Sequence, residues 1–271
     1  MVGPVTEILA ARSAAEFGRN LARLDIHVPA RSQSRKKEQT ERYSIAHLMA
    51  TLPKSRLVYP VHLLHKDRPD FVLHMPDCKI GIEVTEAVPE NHVRASLLRQ
   101  QGTGPNVHLL QRHLPGEPPR STAKIRAEVV RDKPSEPWFG NQVEVEWANA
   151  MLHCARIKVV AIKKPGFERY EENWLLIYDN WPLPGVHHKV AMSLFETQCK
   201  SEGILQFFNR LFVLDSKYLC EIGNDIHIHP LQDPAADGVG MPVARHPLHG
   251  SVRAELPHTA PTLGDGDSTS K

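Results

Sequence analysis

The chain predicts a mixed α/β (α+β) fold, with a central sheet that contains an antiparallel hairpin and is flanked by helices. Three observations carry this. Short apolar runs at 71–75 and 80–84 flank a Pro76-Asp77 turn signal, as in a hairpin. Two further runs, 174–178 and 211–214, are apolar at every position, which suits strands covered on both faces. Stretches with apolar residues at helical spacing separate them, the longest over 141–163. At 271 residues the chain is long enough to bury a sizeable core. Its 41% hydrophobic and 24% charged content is that of an ordinary globular protein.

Taken in order, residues 5–24 read as an amphipathic helix, and 31–42 as an exposed basic linker (Arg31, Arg35, Lys36, Lys37, Arg42). Ser44 reads as the N-cap of a helix running to about 52, where Pro53 stops it; a start at Thr40 would bring Glu41 into its first turn. Residues 57–64 form a strand candidate ahead of the hairpin. Residues 91–101 place Val93, Leu97 and Leu98 on one helical face. The Gly-, Pro- and charge-rich stretch 102–139 reads as a long loop insertion with a short helix near 121–131. In the 141–163 helix Val145, Ala148, Met151, Leu152, Ala155, Val159 and Ile162 recur at helical spacing, and Pro165-Gly166 ends it. The strand 174–178 ends at Asp179, a helix covers 189–200, and the strand 211–214 ends at Asp215, with 218–222 able to pair with it. These elements imply an N-terminal helix and linker over 1–42, a core domain over 43–230, and a disordered polar tail over 231–271.

Several function classes drop out. A net charge of +2 gives no global basic field, so nucleic-acid contact would need a local patch. Four dispersed cysteines without a CxxC pair, and no secretory signal, predict reduced thiols and a cytoplasmic setting. No apolar run approaches membrane-spanning length, so no membrane partner is expected. HExxH, GxSxG and P-loop patterns are absent. Neither the His187-His188 pair nor His227 with His229 falls in a zinc pattern.

The hairpin carries the candidate site. With a two-residue loop at Pro76-Asp77, Met75 faces Cys78 and Asp70 lies opposite Glu83. Moving the loop by one residue puts Asp70 opposite Thr85, with Glu83 diagonal to it. In either register Asp70, Val72, His74, Lys79, Gly81, Glu83 and Thr85 share one face, while Phe71, Leu73, Met75, Ile80, Ile82 and Val84 share the other. Glu83, flanked by apolar residues, costs stability unless it is paired or bound to a metal.

Pro69-Asp70, the hairpin, then Glu83-Val84-Thr85 resembles the PD-(D/E)xK nuclease superfamily, whose fold is termed restriction-endonuclease-like. The element order over about 40–180 is similar to that family's core. The resemblance implies a metal-dependent phosphodiesterase that uses Mg²⁺ or Mn²⁺ and acts on DNA rather than RNA. It implies Asp70, Glu83 and Glu41 as metal ligands, with the Val84 carbonyl as a further one. The basic segment 31–42 and Arg112, Arg120, Lys124, Arg126 and Arg131 of the loop would then contact the phosphate backbone.

The departure is Thr85, which stands where the family has its lysine. A threonine supplies no positive charge to the attacking water or the transition state. Lys158, Lys163 or Lys164 from the long helix, or Arg94 or Arg99 from the helix after the hairpin, are candidates to supply it; the expected catalytic residues are Asp70, Glu83, Thr85 and Lys163. As an alternative to a supplied cation, Glu86 would act in the site itself, although alternation points it to the opposite face. Without such a group the domain is a nuclease-fold module that binds nucleic acid or a protein partner without turnover. A competing site uses Asp179 and Asp215, since ligands of open α/β sheets bind at strand C-termini. Trp181, in a loop with Pro182 and Pro184, is a candidate to stack on a base.

Overall fold

The structure is a computed structural model and describes residues 5–235. Eight strands form one mixed sheet in sequential order: β1 (Thr6–Ala11), β2 (Val61–His65), β3 (Phe71–Met75), β4 (Cys78–Ala87), β5 (Glu172–Asp179), β6 (Arg210–Leu214), β7 (Tyr218–Ile222) and β8 (Ile226–Pro230). Strands β1 to β4 are antiparallel, β4, β5 and β6 run parallel, and β6 to β8 are antiparallel again. Six α-helices accompany them among the described residues: α1 (Ala14–Leu21), α2 (Lys37–Thr51), α3 (Glu90–Gln100), α4 (Thr122–Arg131), α5 (Gln142–Ile162) and α6 (His188–Ser201).

Alternation along the central strands divides the interior into two cores. Ile80, Ile82 and Val84 of β4, Trp174, Leu176 and Tyr178 of β5, and Phe212 and Leu214 of β6 pack on one face, with Phe17 of α1 and Ile45, Leu48 and Met49 of α2. Leu175 and Ile177 of β5 and Leu211 and Val213 of β6 face the other way, onto Trp147, Met151 and Ala155 of α5 and Phe195 of α6. Burial on both faces is why 174–178 and 211–214 read as unbroken apolar runs. Helices α3 and α4 share a small core of their own, Ala95, Leu98, Ile125 and Val129.

Four sequence expectations need correction. The helix expected over 5–24 is strand β1 followed by α1. Residues 6–11 pair with β2 and bury Leu9 and Ala11, and tertiary pairing overrides a helical pattern that only the second half obeys. Ser13 then restarts the chain as an N-cap whose hydroxyl accepts from the Glu16 N–H. The basic stretch at 31–42 is not a free linker. It holds a 3-10 turn, Arg31–Gln33, and the start of α2, where the Lys36 N–H donates to the Gln39 side chain. Ser44 lies inside α2 rather than capping it, its hydroxyl donating to the Thr40 carbonyl at 2.8 Å. The strand expected over 57–64 begins at Val61, directly after Pro60, which has no N–H to give a ladder. Strand β8 was not anticipated, because Ile-His-Ile-His gives a short alternation with weakly polar partners. The expected tail lies, from residue 236 onward, outside the described residues.

Candidate active site

The hairpin has its tight register. Met75 pairs with Cys78 and Phe71 with Ile82, so one step further Asp70 stands opposite Glu83. Asp70 sits just ahead of β3, where its carbonyl accepts from the Lys66 N–H at 2.9 Å and closes the β2–β3 loop. Its Oδ2 accepts from the Val84 N–H at 2.8 Å, which clamps the carboxylate to β4. Both acids are buried, Asp70 at 3% and Glu83 at 5% exposure. Beside them Gly81 makes room for Tyr170, whose ring carbon lies 2.8 Å from where a Cβ would stand.

Two lysines link the acids. Lys158, from α5, places Nζ 2.6 Å from Glu83 Oε2 and 3.5 Å from Asp70 Oδ2. Lys37, at the start of α2, places Nζ 2.8 Å from Asp70 Oδ1 and in close contact with Glu41 Oε1. His65, at the end of β2, closes the chain of contacts, its Nε2 3.2 Å from Glu41 Oε2. Glu41, Asp70 and Glu83 thus form one connected cluster at the C-terminal half of β4.

The electrostatics differ at the two ends of the cluster. Burial and the neighbouring Asp70 charge push Glu83 up to about 7, although Lys158 opposes the shift. Burial would also raise Glu41, but His65 and Lys37 outweigh it and hold Glu41 down at about 2. Lys37 is raised: its burial favours the neutral form, and Asp70 and Glu41 more than reverse that.

The other candidates are distributed as follows. Thr85 is half-buried and lines a cavity of about 380 Å³ beside the cluster. Lys163 is not at the acids: it caps α5 at the surface with Nζ 4.4 Å from the Phe207 ring centre. Lys164 is exposed. Arg94 is held by Glu90 and the Arg120 carbonyl, and Arg99 lies 3.9 Å from Asp132, so both belong to the α3–α4 unit. Glu86 points away from Glu83, and its Oε1 accepts from Arg31, Arg35 and Asn180. Arg112 pairs with Glu146, and Arg120 with Glu117 and Glu128, while Lys124, Arg126 and Arg131 stay exposed.

Asp179 and Asp215 have structural partners. Asp179 accepts from Trp147 Nε1 at 2.6 Å and from the Trp181 N–H at 3.2 Å, and burial pushes it up to about 7. Asp215 accepts from the Lys217 and Tyr218 N–H groups in the β6–β7 turn and meets His188 at 2.7 Å. Trp181, a candidate stacking residue by sequence, is buried in the core under α5 and α6. The four cysteines are unpaired. Among the described residues no helix is long and apolar enough to cross a membrane.

No protein-family model, curated protein or solved structure matched the chain. The chemistry of the site therefore rests on its own geometry. Three hard oxygen donors lie within one buried cluster, and a fixed ammonium sits on two of them. Among the described residues no three His, Cys, Asp or Glu side chains close on one point. A Mg²⁺ site needs less, because that ion keeps most of its waters and takes one or two carboxylates with substrate oxygens.

Sequence reasoning missed Lys37 and His65 as members of the cluster. The signals were present: Lys37 stands four residues before Glu41, on the same helical face, and His65 ends the strand that leads into the hairpin.

Proposed function

We propose that the protein is a metal-dependent phosphodiesterase, a nuclease that hydrolyses DNA phosphodiester bonds with Mg²⁺ or Mn²⁺ on a restriction-endonuclease-like core. The observation that carries this is Lys158. The positive charge that the nuclease motif lacks at Thr85 reaches the same acids from α5, 2.6 Å from Glu83 and 3.5 Å from Asp70.

The donor set suits a divalent cation. Asp70 Oδ1 and Glu41 Oε1 converge on one point, where Lys37 Nζ sits. The Lys37 side chain is 69% exposed and can swing into solvent, whereas Lys158 is only 14% exposed and stays in place. With Lys37 displaced, Asp70 and Glu41 present two carboxylate oxygens to a metal, and Glu83 completes the acidic wall. The bound ion would polarise the phosphorus centre and make a coordinated water more acidic. Lys158 orients the attacking water and offsets charge on the phosphate, Asp70 and Glu83 fix the axis of attack, and the half-buried Thr85 contributes a hydroxyl to the cavity wall.

A second assignment keeps the fold without turnover, as a module that binds nucleic acid or a protein partner. Thr85 in the motif, and the hold of Lys37 on Asp70 and Glu41, favour it. Supercoiled, linear and single-stranded DNA and RNA, incubated with Mg²⁺, Mn²⁺ or a chelator, separate the two. Metal-dependent DNA cleavage that Asp70→Asn and Glu83→Gln each abolish is the expected result. Cleavage that persists in both variants excludes these ligands, and binding without cleavage in either metal selects the second assignment.

A further inference from the structure

The cavity beside the acid cluster has a composition that the cluster does not explain. Arg31, Arg35, Lys36 and Lys37 line one side of it, Thr85 and Glu86 lie on β4, and Val93 and Leu97 of α3 form an apolar wall. Its volume, about 380 Å³, is enough for one small molecule, and it is open to solvent on one side.

The two arginines over-supply positive charge for one carboxylate, although Arg35 also donates from Nε to Thr40 Oγ1 at 2.8 Å. Arg31 Nη2 lies 2.5 Å and Arg35 Nη2 3.0 Å from the same oxygen, Glu86 Oε1, and Asn180 Nδ2 stands 2.6 Å from it too. One guanidinium would neutralise Glu86. The second adds like-charge repulsion in a place where Arg35 is only 9% exposed. Burial, together with Arg35, works to lower the pKa of Arg31 despite Glu86. Each guanidinium carries five N–H donors in a planar fork, and the fork matches phosphate oxygens two at a time. The lining holds four cations against two carboxylates, Glu41 and Glu86, and Lys37 already contacts Glu41.

We infer that this cavity is a subsite for one nucleotide of the substrate strand, with its phosphate on Arg31 and Arg35 and its sugar and base against Val93 and Leu97. Lys37, Glu41 and Thr85 belong to both the cavity and the acid site or its motif, so a nucleotide held here adjoins the phosphate to be cleaved. The subsite builds on the nuclease assignment, yet binding can be measured without cleavage, so either can fail alone. Glu86 then acts as a competing anion that keeps the arginines in position until a phosphate displaces it.

The test is calorimetric titration of the full chain with thymidine 5′-monophosphate in the presence of a chelator, with thymidine and inorganic phosphate as separate titrants. The nucleotide should bind, and each of the other two should bind at least about tenfold more weakly, since each lacks one half of the contacts. Arg35→Ala should weaken nucleotide binding by about tenfold. Glu86→Gln should tighten it, because it removes the competing carboxylate; misfolding cannot produce a gain in affinity. No nucleotide binding, equal binding by Arg35→Ala, weaker binding by Glu86→Gln, or inorganic phosphate binding as tightly as the nucleotide would each overturn the subsite. DNA cleavage without nucleotide binding leaves the nuclease and removes the subsite. Nucleotide binding without DNA cleavage does the reverse.

Discussion

Lys158 occupies a position that helical spacing reserves for apolar side chains. It follows Met151 by seven residues and Ala155 by three, on the stripe that α5 buries against the sheet. A lysine there meets low dielectric unless a carboxylate waits for it, and Glu83 and Asp70 do. Replacing it with methionine keeps the packing and removes the charge. Lys158→Met should cost about 3 kcal/mol at pH 8, because it leaves two buried carboxylates facing each other, and less at pH 6, where Glu83 takes up a proton; urea denaturation at the two pH values reads both. By sequence Lys158, Lys163 and Lys164 are equal candidates for the missing cation, and Lys163 is the one expected in the catalytic set. The apolar stripe was the signal that separates them, since Lys163 falls beyond its last member, Ile162. For Lys37 the only local signal was its spacing of four from Glu41; its contact with Asp70 joins residues 33 apart in sequence, which spacing does not reveal.

The titrating groups of the cluster give stability two opposite slopes. Glu83, raised to about 7, binds protons more readily folded than unfolded. Its stabilising contribution is full below the unfolded value, near 4.5, and is lost as pH rises through 7. Glu41, held at about 2, contributes stability above 4.5 that is lost as pH falls toward 2. Glu83→Gln should therefore flatten the decline between pH 5 and pH 8 and leave the acid limb unchanged. A decline of the same slope in the variant would assign it to another group.

At the scale of elements, the hairpin was legible almost completely. Its alternation fixed which residues share a face, but the turn left two registers open, and the structure takes the one with Met75 opposite Cys78; a one-residue slip of a single strand would have turned Ile80, Ile82 and Val84 out of the core. Gly81 belongs to the same design, because Tyr170 and Pro69 occupy the space a side chain would need, at 2.8 and 3.1 Å. Gly81→Val should destabilise the protein by about 1–3 kcal/mol through overpacking and lower its melting temperature by several degrees. A melting temperature within a degree of the parent would mean that Tyr170 moves aside freely. Strand β1 and the 31–42 segment were not legible for a different reason. Both owe their structure to partners distant in sequence, β2 for the one and Glu86 for the other. Local spacing carries no trace of such contacts.

Across the whole molecule, the sheet brings hairpin and parallel strands together at β4, which pairs antiparallel with β3 and parallel with β5. That strand carries Glu83, Thr85 and Glu86, so acids, cavity and basic wall all take their positions from it. The mixed sheet and its flanking helices followed from element order, whereas the two-sided core was visible only as unbroken apolar runs. Net charge is +2, yet four cations line one cavity, so charge is concentrated rather than abundant. DNA affinity should accordingly fall with salt, with a log–log slope of magnitude about 2–4 for that number of phosphate contacts. Arg35→Ala should reduce the slope by about one, and an unchanged slope would remove the basic wall from the interface.

On the nuclease assignment, a lysine from α5 replaces the one absent from the strand motif. The Mg²⁺-dependent cleavage rate of supercoiled DNA for Lys158→Met, Lys163→Met and the double variant Lys158→Met/Thr85→Lys decides whether it does. Lys158→Met should lose about a hundredfold or more, as removal of one electrostatic catalytic group does. Lys163→Met should stay within twofold of the parent, and activity should partly recover when the lysine returns to position 85. Full activity in Lys158→Met, or a loss confined to Lys163→Met, would contradict this replacement.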